Sequence, residues 1–442
     1  MTYEEMTSYF EEAKKRGSRF GTERIRVLLD RLDHPERNLE FVHVTGTNGK
    51  GSVIAFLSAV LTRCSYRVGE YTSPAVFCYE ERFRVGGSRL EKQDLAAYAE
   101  RVIEADRQMK EEGLEQATLF ELETALAFVI FKEEKCDIVL LEAGLGGAGD
   151  ATSVIPRKVV SVITSVDLDH TKELGKTKEE IAEAKAGIIG PDRPVVYLTR
   201  DEEVRDIIER VARERESQTR PVQLERFDHD PFMTLLPSGK MAQLFTYKNY
   251  EEIPVTMLGR YEAENAAVAV ETLEALSDWG FYHINKKLII GGMAEARLPG
   301  RFELLREHPN LFIDGAHNPA GVRAMIESLA YYFPGQKWTG VMGVFKDKDY
   351  PEMVRLCAGQ FSQVLTVTPP DAERALPAEE LAKCFEEHGC EARAVKDMES
   401  ALSQAIAVTG RPDVIIVFGS LSILREAKEV TEELERKKRP VL

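Results

Sequence analysis

Apolar residues recur along this chain in two rhythms. Short runs are apolar at nearly every position, and between them lie longer stretches where apolar side chains return every three or four residues. The first rhythm predicts buried strands at 41–45, 67–70, 136–142, 159–164 and 194–197. The second predicts helices at 2–15, 21–32, 91–112, 117–135, 178–189 and 201–216, with a further helix after Lys50 built on Val53, Ile54, Phe56, Leu57, Val60 and Leu61. Shorter alternating segments at 232–236, 242–246 and 253–255 read as an antiparallel β extension, followed by an alanine-rich helix to about residue 276. Leu298-Pro299-Gly300-Arg301 reads as a boundary. Beyond it come strands at 311–314, 338–344, 364–367, 392–395 and 414–418, separated by helices at 319–332, 350–358, 377–388 and 398–408. Strand–helix alternation of this kind implies parallel sheets with helices on their faces. At 442 residues the chain is too long for one ordinary core, and two domains are expected, 1–297 and 298–442.

The polar residues that matter sit where predicted strands end. The run Phe41-Val42-His43-Val44 leads into Thr45-Gly46-Thr47-Asn48-Gly49-Lys50-Gly51-Ser52 and then a helix. A glycine-rich turn before a helix N-terminus gathers backbone N–H groups into one concavity that suits phosphate, and Lys50 adds a positive charge. The loop departs from the strict phosphate-loop pattern, because Val44 stands six before the lysine and Gly51 directly after it.

Other strand ends carry further candidates. Tyr71-Thr72-Ser73-Pro74 offers a hydroxyl for Mg²⁺ or a plain Ser-Pro turn. Glu142 closes the 136–142 strand before Gly144-Leu145-Gly146-Gly147 and reads as a metal carboxylate or as a solvated one. Asp167, Asp169 and His170 follow the 159–164 strand and could hold or neutralise a metal. Lys185 lies among Ala182, Ala184, Ala186 and Ile188, either pointing outward or desolvated enough to react with CO₂. Asn265 is polar on an alanine-rich helix and could bond a base or a neighbouring helix end. Asp314 and His317, in Asp314-Gly315-Ala316-His317-Asn318-Pro319, could take ribose and phosphate or form a capped turn.

Bulk properties narrow the class. The net charge is −16, which argues against nonspecific nucleic-acid or anionic-membrane partners and means that positive charge for anionic substrates is concentrated locally. Six scattered cysteines without a C-x-x-C pair suggest reduced thiols and a cytoplasmic setting. The acidic N-terminus is no signal peptide, and no run of 18 apolar residues predicts a membrane span.

Taken in order, these motifs resemble the Mur-ligase superfamily, specifically folylpolyglutamate synthase/dihydrofolate synthase, over essentially the whole chain. The resemblance rests on Gly46 to Ser52, Tyr71-Thr72-Ser73-Pro74 with Glu81-Arg82, Gly144 to Gly147 with Asp150-Ala151-Thr152, and Leu168-Asp169-His170-Thr171. It rests also on Lys185 to Ile189, Pro299 to Glu303, Asp314 to Pro319, Asp347-Lys348-Asp349 and Gly419-Ser420-Leu421.

The resemblance implies an α/β fold. Its parts are an N-terminal P-loop ATPase-type domain with a mainly parallel sheet and a small antiparallel extension, and a C-terminal Rossmann-like glutamate-ligase domain. It implies ATP contacts at Thr47, Asn48, Gly49, Lys50, Gly51, Ser52, Asn265, Arg301, Asp314 and His317. It implies one Mg²⁺ at Ser73 and Glu142 and a second at His170 and a carbamylated Lys185, with Lys50, Lys185 and His170 catalytic. Thr72, Pro74, Arg82, Asp150 and Thr152 would meet the acceptor. The implied reaction is ATP-dependent addition of L-glutamate to a folate, with dihydropteroate as a further acceptor, by a monomer.

Five positions depart from the family pattern: Ala75 for His, Ala148 for Arg, Ser153 for Asn, and Tyr261-Glu262 for His-Gln. They keep open a ligase for another carboxylate. A non-catalytic ATP-binding relative is the remaining alternative, opposed by retention of Lys50, Glu142, His170 and Lys185.

Overall fold

The structure, a computed structural model, describes residues 1–227, 232–236 and 240–438. The chain divides into two compact units. The first comprises Met1–Asp230, Leu244–Val255 and Glu264–Ala296; the second comprises Pro231–Gln243, Thr256–Ala263 and Arg297–Leu442.

The first unit holds eight strands: β1 (Phe41–Thr45), β2 (Val68–Tyr71), β3 (Phe83–Val85), β4 (Ser88–Arg89), β5 (Ile138–Glu142), β6 (Lys158–Ile163), β7 (Val195–Tyr197) and β8 (Thr219–Pro221). They form one sheet in the order β4-β3-β2-β5-β1-β6-β7-β8. From β2 to β8 neighbouring strands run parallel, and the β2–β3–β4 edge is antiparallel. All five residues of β1 and all five of β5 are buried, which follows from helices covering both faces of a parallel sheet. One core packs the N-terminal helices through Met6, Phe10, Ile25 and Leu28 against Leu122, Phe128 and Phe131 of the helix Leu119–Glu133.

The predicted helices appear with trimmed ends, at Tyr3–Lys14, Glu23–Asp30, Lys92–Glu111 and Leu119–Glu133. The helix expected over 178–189 stops at Ala186, because Gly187 caps it and the Ile188 amide turns back to the Lys185 carbonyl at 3.1 Å. The β3–β4 hairpin and β8 escape the sequence reading, being only two or three residues each.

The segments read as a β extension are β9 (Phe232–Leu235), β10 (Met241–Tyr247) and β11 (Tyr250–Val255), in the order β11-β10-β9. The second unit holds β12 (Glu303–Arg306), β13 (Asn310–Ile313), β14 (Trp338–Met342), β15 (Gln363–Thr366), β16 (Ala392–Ala394) and β17 (Val414–Phe418), in the order β12-β13-β17-β14-β15-β16. All are parallel except β12, an antiparallel edge that the sequence reading does not contain. Among the described residues no helix is long and apolar enough to cross a membrane.

Candidate active site

Sheet register assembles the first unit's polar groups. Val44 pairs with Glu142 on β5, Thr45 pairs with Ile163 on β6, and Tyr71 pairs with Leu141. The segments that follow β1, β2, β5 and β6 therefore leave the sheet side by side at the carboxyl ends of its strands, where α/β proteins hold ligands.

The loop after β1 is clamped by its neighbour. The Asn48 amide donates to Ser165 Oγ at 2.9 Å, and the hydroxyls of Thr164 and Ser165 donate back to the Asn48 carbonyl at 2.5 and 3.0 Å. Thr47 Oγ1 accepts from the Asp167 amide and donates to the Asp167 carbonyl, both at 3.0 Å. Gly49 has φ +85°, and a Cβ there would overlap Asn265 Oδ1. A side chain at this position would thus be strained and would displace Asn265. The helix Lys50–Arg63 starts directly behind, with Ser52 buried in its first turn.

Lys50 Nζ donates to the Gly46 carbonyl at 2.9 Å and lies 3.9 Å from Glu142 Oε1. The other Glu142 oxygen accepts from the Ser73 amide at 3.1 Å. Glu142 is only 5 % exposed, and a carboxylate of this kind is the hard oxygen donor that Mg²⁺ prefers. Among the described residues no group of three His, Cys, Asp or Glu is arranged as a metal cluster.

Lys185 is held by packing. A Thr177–Glu180 capping box starts the helix Lys178–Ala186, and Gly147 lies so close to it that a Cβ would overlap the Ala184 carbonyl oxygen. Lys185 is 4 % exposed. Burial first, and the positive charge of Lys50 second, bring its pKa from 10.5 down to about 7, while Asp169 and Asp150 pull the other way. The outward-pointing alternative is thereby settled against.

Asp150 is buried and accepts from the Leu145 and Thr152 amides at 2.7 and 2.9 Å and from the Thr152 hydroxyl at 2.5 Å. Burial raises its carboxyl pKa against those donors. Arg82 lies beside Thr72, whose amide donates to the Arg82 carbonyl at 3.1 Å, and its guanidinium pairs with buried Glu123 at 3.1 Å. Pro74 is exposed next to Ser73. His170 differs from the rest: it sits at φ +49° with its side chain 46 % exposed, 4.0 Å from Asp169 Oδ2.

In the second unit Asp314 is buried at the end of β13. Its Oδ1 accepts from the Ala316 amide at 2.8 Å, and its Oδ2 accepts from the Phe302 amide at 2.8 Å and the Tyr261 hydroxyl at 3.1 Å. Burial raises its carboxyl pKa, opposed first by Arg301. Gly315 packs directly against the Arg301 guanidinium. His317 Nδ1 lies 2.7 Å from the Gly315 carbonyl and therefore carries the proton. Asn318 caps the helix Pro319–Tyr332 through the Gly321 amide at 2.7 Å.

Two departures from the family pattern are taken up internally: Tyr261 donates to Asp314 at 3.1 Å, and Ser153 Oγ donates to the Gly147 carbonyl at 2.7 Å. Ala148 is exposed, next to Gly187. Sequence reasoning missed Thr164, Ser165 and Glu123. The first two directly follow β6, where Ser161 and Thr164 are buried and Ser165 is half-buried, a hint that this strand end is polar for a reason; Glu123 interrupts an apolar helix.

Comparison with known proteins agrees with this architecture. The family model described as "Mur ligase middle domain" matches residues 44–273, and that described as "Mur ligase, glutamate ligase domain" matches residues 300–421. The dihydrofolate synthase/folylpolyglutamate synthase of Bacillus subtilis (strain 168) is 35 % identical over 359 residues, covering 80 % of this chain and 82 % of its own. The folylpolyglutamate synthase of Lacticaseibacillus casei is 32 % identical over 443 residues, covering 97 % and 98 %. The structure of Mycobacterium tuberculosis folylpolyglutamate synthase complexed with ADP and AMPPCP superposes with a TM-score of 0.85 at 27 % identity, covering 97 % of this chain and 99 % of that one.

Proposed function

The chain belongs to the Mur ligase family, in its folylpolyglutamate synthase/dihydrofolate synthase branch, and from that premise we propose how its own residues carry the reaction. It is an ATP-dependent ligase that adds L-glutamate to a folate. Residues 1–297 serve ATP and the acceptor, and residues 298–442 bring the remaining nucleotide and glutamate contacts.

In the first step the γ-phosphoryl group of ATP passes to the acceptor carboxylate, giving an acyl phosphate and ADP. The α-amino group of glutamate then attacks the acyl carbon and phosphate leaves with its electron pair, forming the amide. The amides of Gly49 to Ser52 and the Lys50 ammonium serve the triphosphate and offset charge on the transferring group, while Thr47 and Asn48, whose amides donate to the Ser165 carbonyl and hydroxyl, hold the loop in shape. Asn265 borders the loop from its own helix, and Arg301, Asp314 and His317 serve ATP from the second unit, Asp314 chiefly by holding the turn that carries the other two. Thr72, Pro74, Arg82, Asp150 and Thr152 surround the acceptor.

Ser73 and Glu142 would hold one Mg²⁺, and His170 with a carbamylated Lys185 would hold a second; bound there, the ions would neutralise phosphoryl charge. The observation that carries the reading is Lys185, a buried lysine whose pKa is brought down to about 7 by burial first and by the charge of Lys50 second. Such an amine is largely neutral at physiological pH and can add CO₂ to become a carbamate. That change would convert a competing cation into an anionic ligand. Tyr261 and Ser153 are spent on internal hydrogen bonds, so these two departures do not point to a different acceptor.

Phosphate release from ATP, Mg²⁺ and L-glutamate, with dihydropteroate or tetrahydrofolate added separately, tests the proposal. A product heavier by one glutamyl residue on tetrahydrofolate, on dihydropteroate or on both says which branch the enzyme serves. Turnover only with an unrelated carboxylate would overturn the folate reading.

A further inference from the structure

His43 has no part in the scheme above, yet it is a costly residue for its place. It sits fully buried in the middle of β1, where valine would pack without losing hydration of a ring nitrogen. Its Nε2 lies 2.8 Å from the Thr152 hydroxyl, which lies 2.5 Å from Asp150 Oδ1. Asp150 also takes the Thr152 amide on Oδ1 and the Leu145 amide on Oδ2.

The proton positions follow from the donors available. A carboxylate that already takes two amides is an acceptor, so the Thr152 hydroxyl gives its single proton to Asp150. That hydroxyl must then accept from His43, which is the neutral tautomer with its proton on Nε2. The other ring nitrogen, Nδ1, is buried and has no hydrogen-bond partner among the described residues, as a proton-free nitrogen in an apolar setting would be. Burial, and after it the charge of Lys158, hold the ring well below its usual pKa and keep it neutral.

The chain of bonds ends on functional ground. The Leu145 amide belongs to the glycine loop that follows Glu142, and Thr45, two residues after His43 on the same face of β1, anchors that loop again by donating to the Gly146 carbonyl at 2.6 Å. Asp150 is also one of the two carboxylates that act on Lys185.

We infer that His43 is a positioning residue for the acceptor side of the reaction: its Nε2–H turns the Thr152 hydroxyl toward Asp150, and Asp150 so held fixes the glycine loop and keeps its charge facing Lys185. The inference deepens the folate-ligase reading and rests on it.

Nitrogen-15 labelling of the histidines in the full chain reads the tautomer without any substitution, with His43→Gln identifying the signal among the eight histidines. A neutral Nε2–H imidazole is expected; an Nδ1–H tautomer or an imidazolium would overturn the inference. In steady-state assays His43→Leu, which removes the donor, is expected to raise the KM for the folate acceptor about tenfold while the KM for ATP stays within about twofold. His43→Gln, whose amide nitrogen replaces Nε2, is expected to recover most of the loss. Equal losses for ATP and acceptor, or no recovery with glutamine, would also overturn it. If His43→Leu fails to fold, the tautomer of the unaltered chain still decides. If the unaltered chain turns over neither folate acceptor, the functional reading fails on its own, and the tautomer again judges the hydrogen-bond chain separately.

Discussion

Replacing Lys185 by methionine should make the protein more stable and less active at once. Methionine keeps the length and most of the volume of the side chain but carries no ammonium to desolvate. In the unfolded chain Lys185 titrates near 10.5, whereas in the folded unit burial and Lys50 bring it down to about 7. Between those values the unfolded state binds the extra proton, so stability rises with pH across the window and is lowest below pH 7. At ~1.36 kcal/mol per pH unit the full cost approaches about 5 kcal/mol at and below neutral pH. Lys185 is almost wholly buried, so solvent screening removes little of this. The assay is urea unfolding of Lys185→Met and the unaltered chain in CO₂-depleted buffer at pH 7, 8.5 and 10. The variant is expected to lead by roughly 2–5 kcal/mol at pH 7, with the lead shrinking to about 1 kcal/mol at pH 10 as the unfolded lysine also loses its proton. Bicarbonate should then stabilise the unaltered chain alone, because only its amine can form a carbamate. A lead that does not change with pH, or an unaltered chain that is the more stable at pH 7, would refute the reasoning.

Gly49→Ala forces a side chain into a left-handed position against Asn265 and should raise the KM for ATP at least tenfold while costing about 1–2 kcal/mol of stability, measured by ATP titration and thermal unfolding. Glu123→Leu strands the Arg82 guanidinium without its buried partner and should cost about 3–5 kcal/mol in urea unfolding, much of it regained when Arg82→Leu is added; no recovery in the double variant would show that the pair is not coupled. Glu142→Gln removes the carboxylate that faces Lys50 and Ser73 and should lower kcat by about 10²–10³-fold with a raised Mg²⁺ requirement, read from phosphate release against metal concentration. Chelation with EDTA should stop turnover, and added Mg²⁺ should restore it.

What the sequence determined by itself was local or written in covalent order. Val42 and Val44 before Gly46, Gly49 and Lys50 announce a strand, a turn and a helix, because glycine alone tolerates the turn's backbone angles and the valines favour a buried strand. The apolar periods yield two α/β patterns, and motif order leads to the family. Short edge strands such as β3, β4 and β12 stayed hidden, since two to four residues carry too little periodicity to register.

Only the tertiary structure decided which neighbours each charge meets. Lys185 looks like an ordinary helical lysine until Gly147 lets its helix press against the glycine loop and the sheet order sets β5 and β6 on either side of β1. Burial and the charge of Lys50 then change its protonation, and both arise from residues far away in sequence. The same holds for His43 with Thr152, Arg82 with Glu123, and Tyr261 with Asp314. A residue's type limits the chemistry it can do, but its pKa and its hydrogen-bond direction are set by desolvation and by distances, which exist only once the chain has folded.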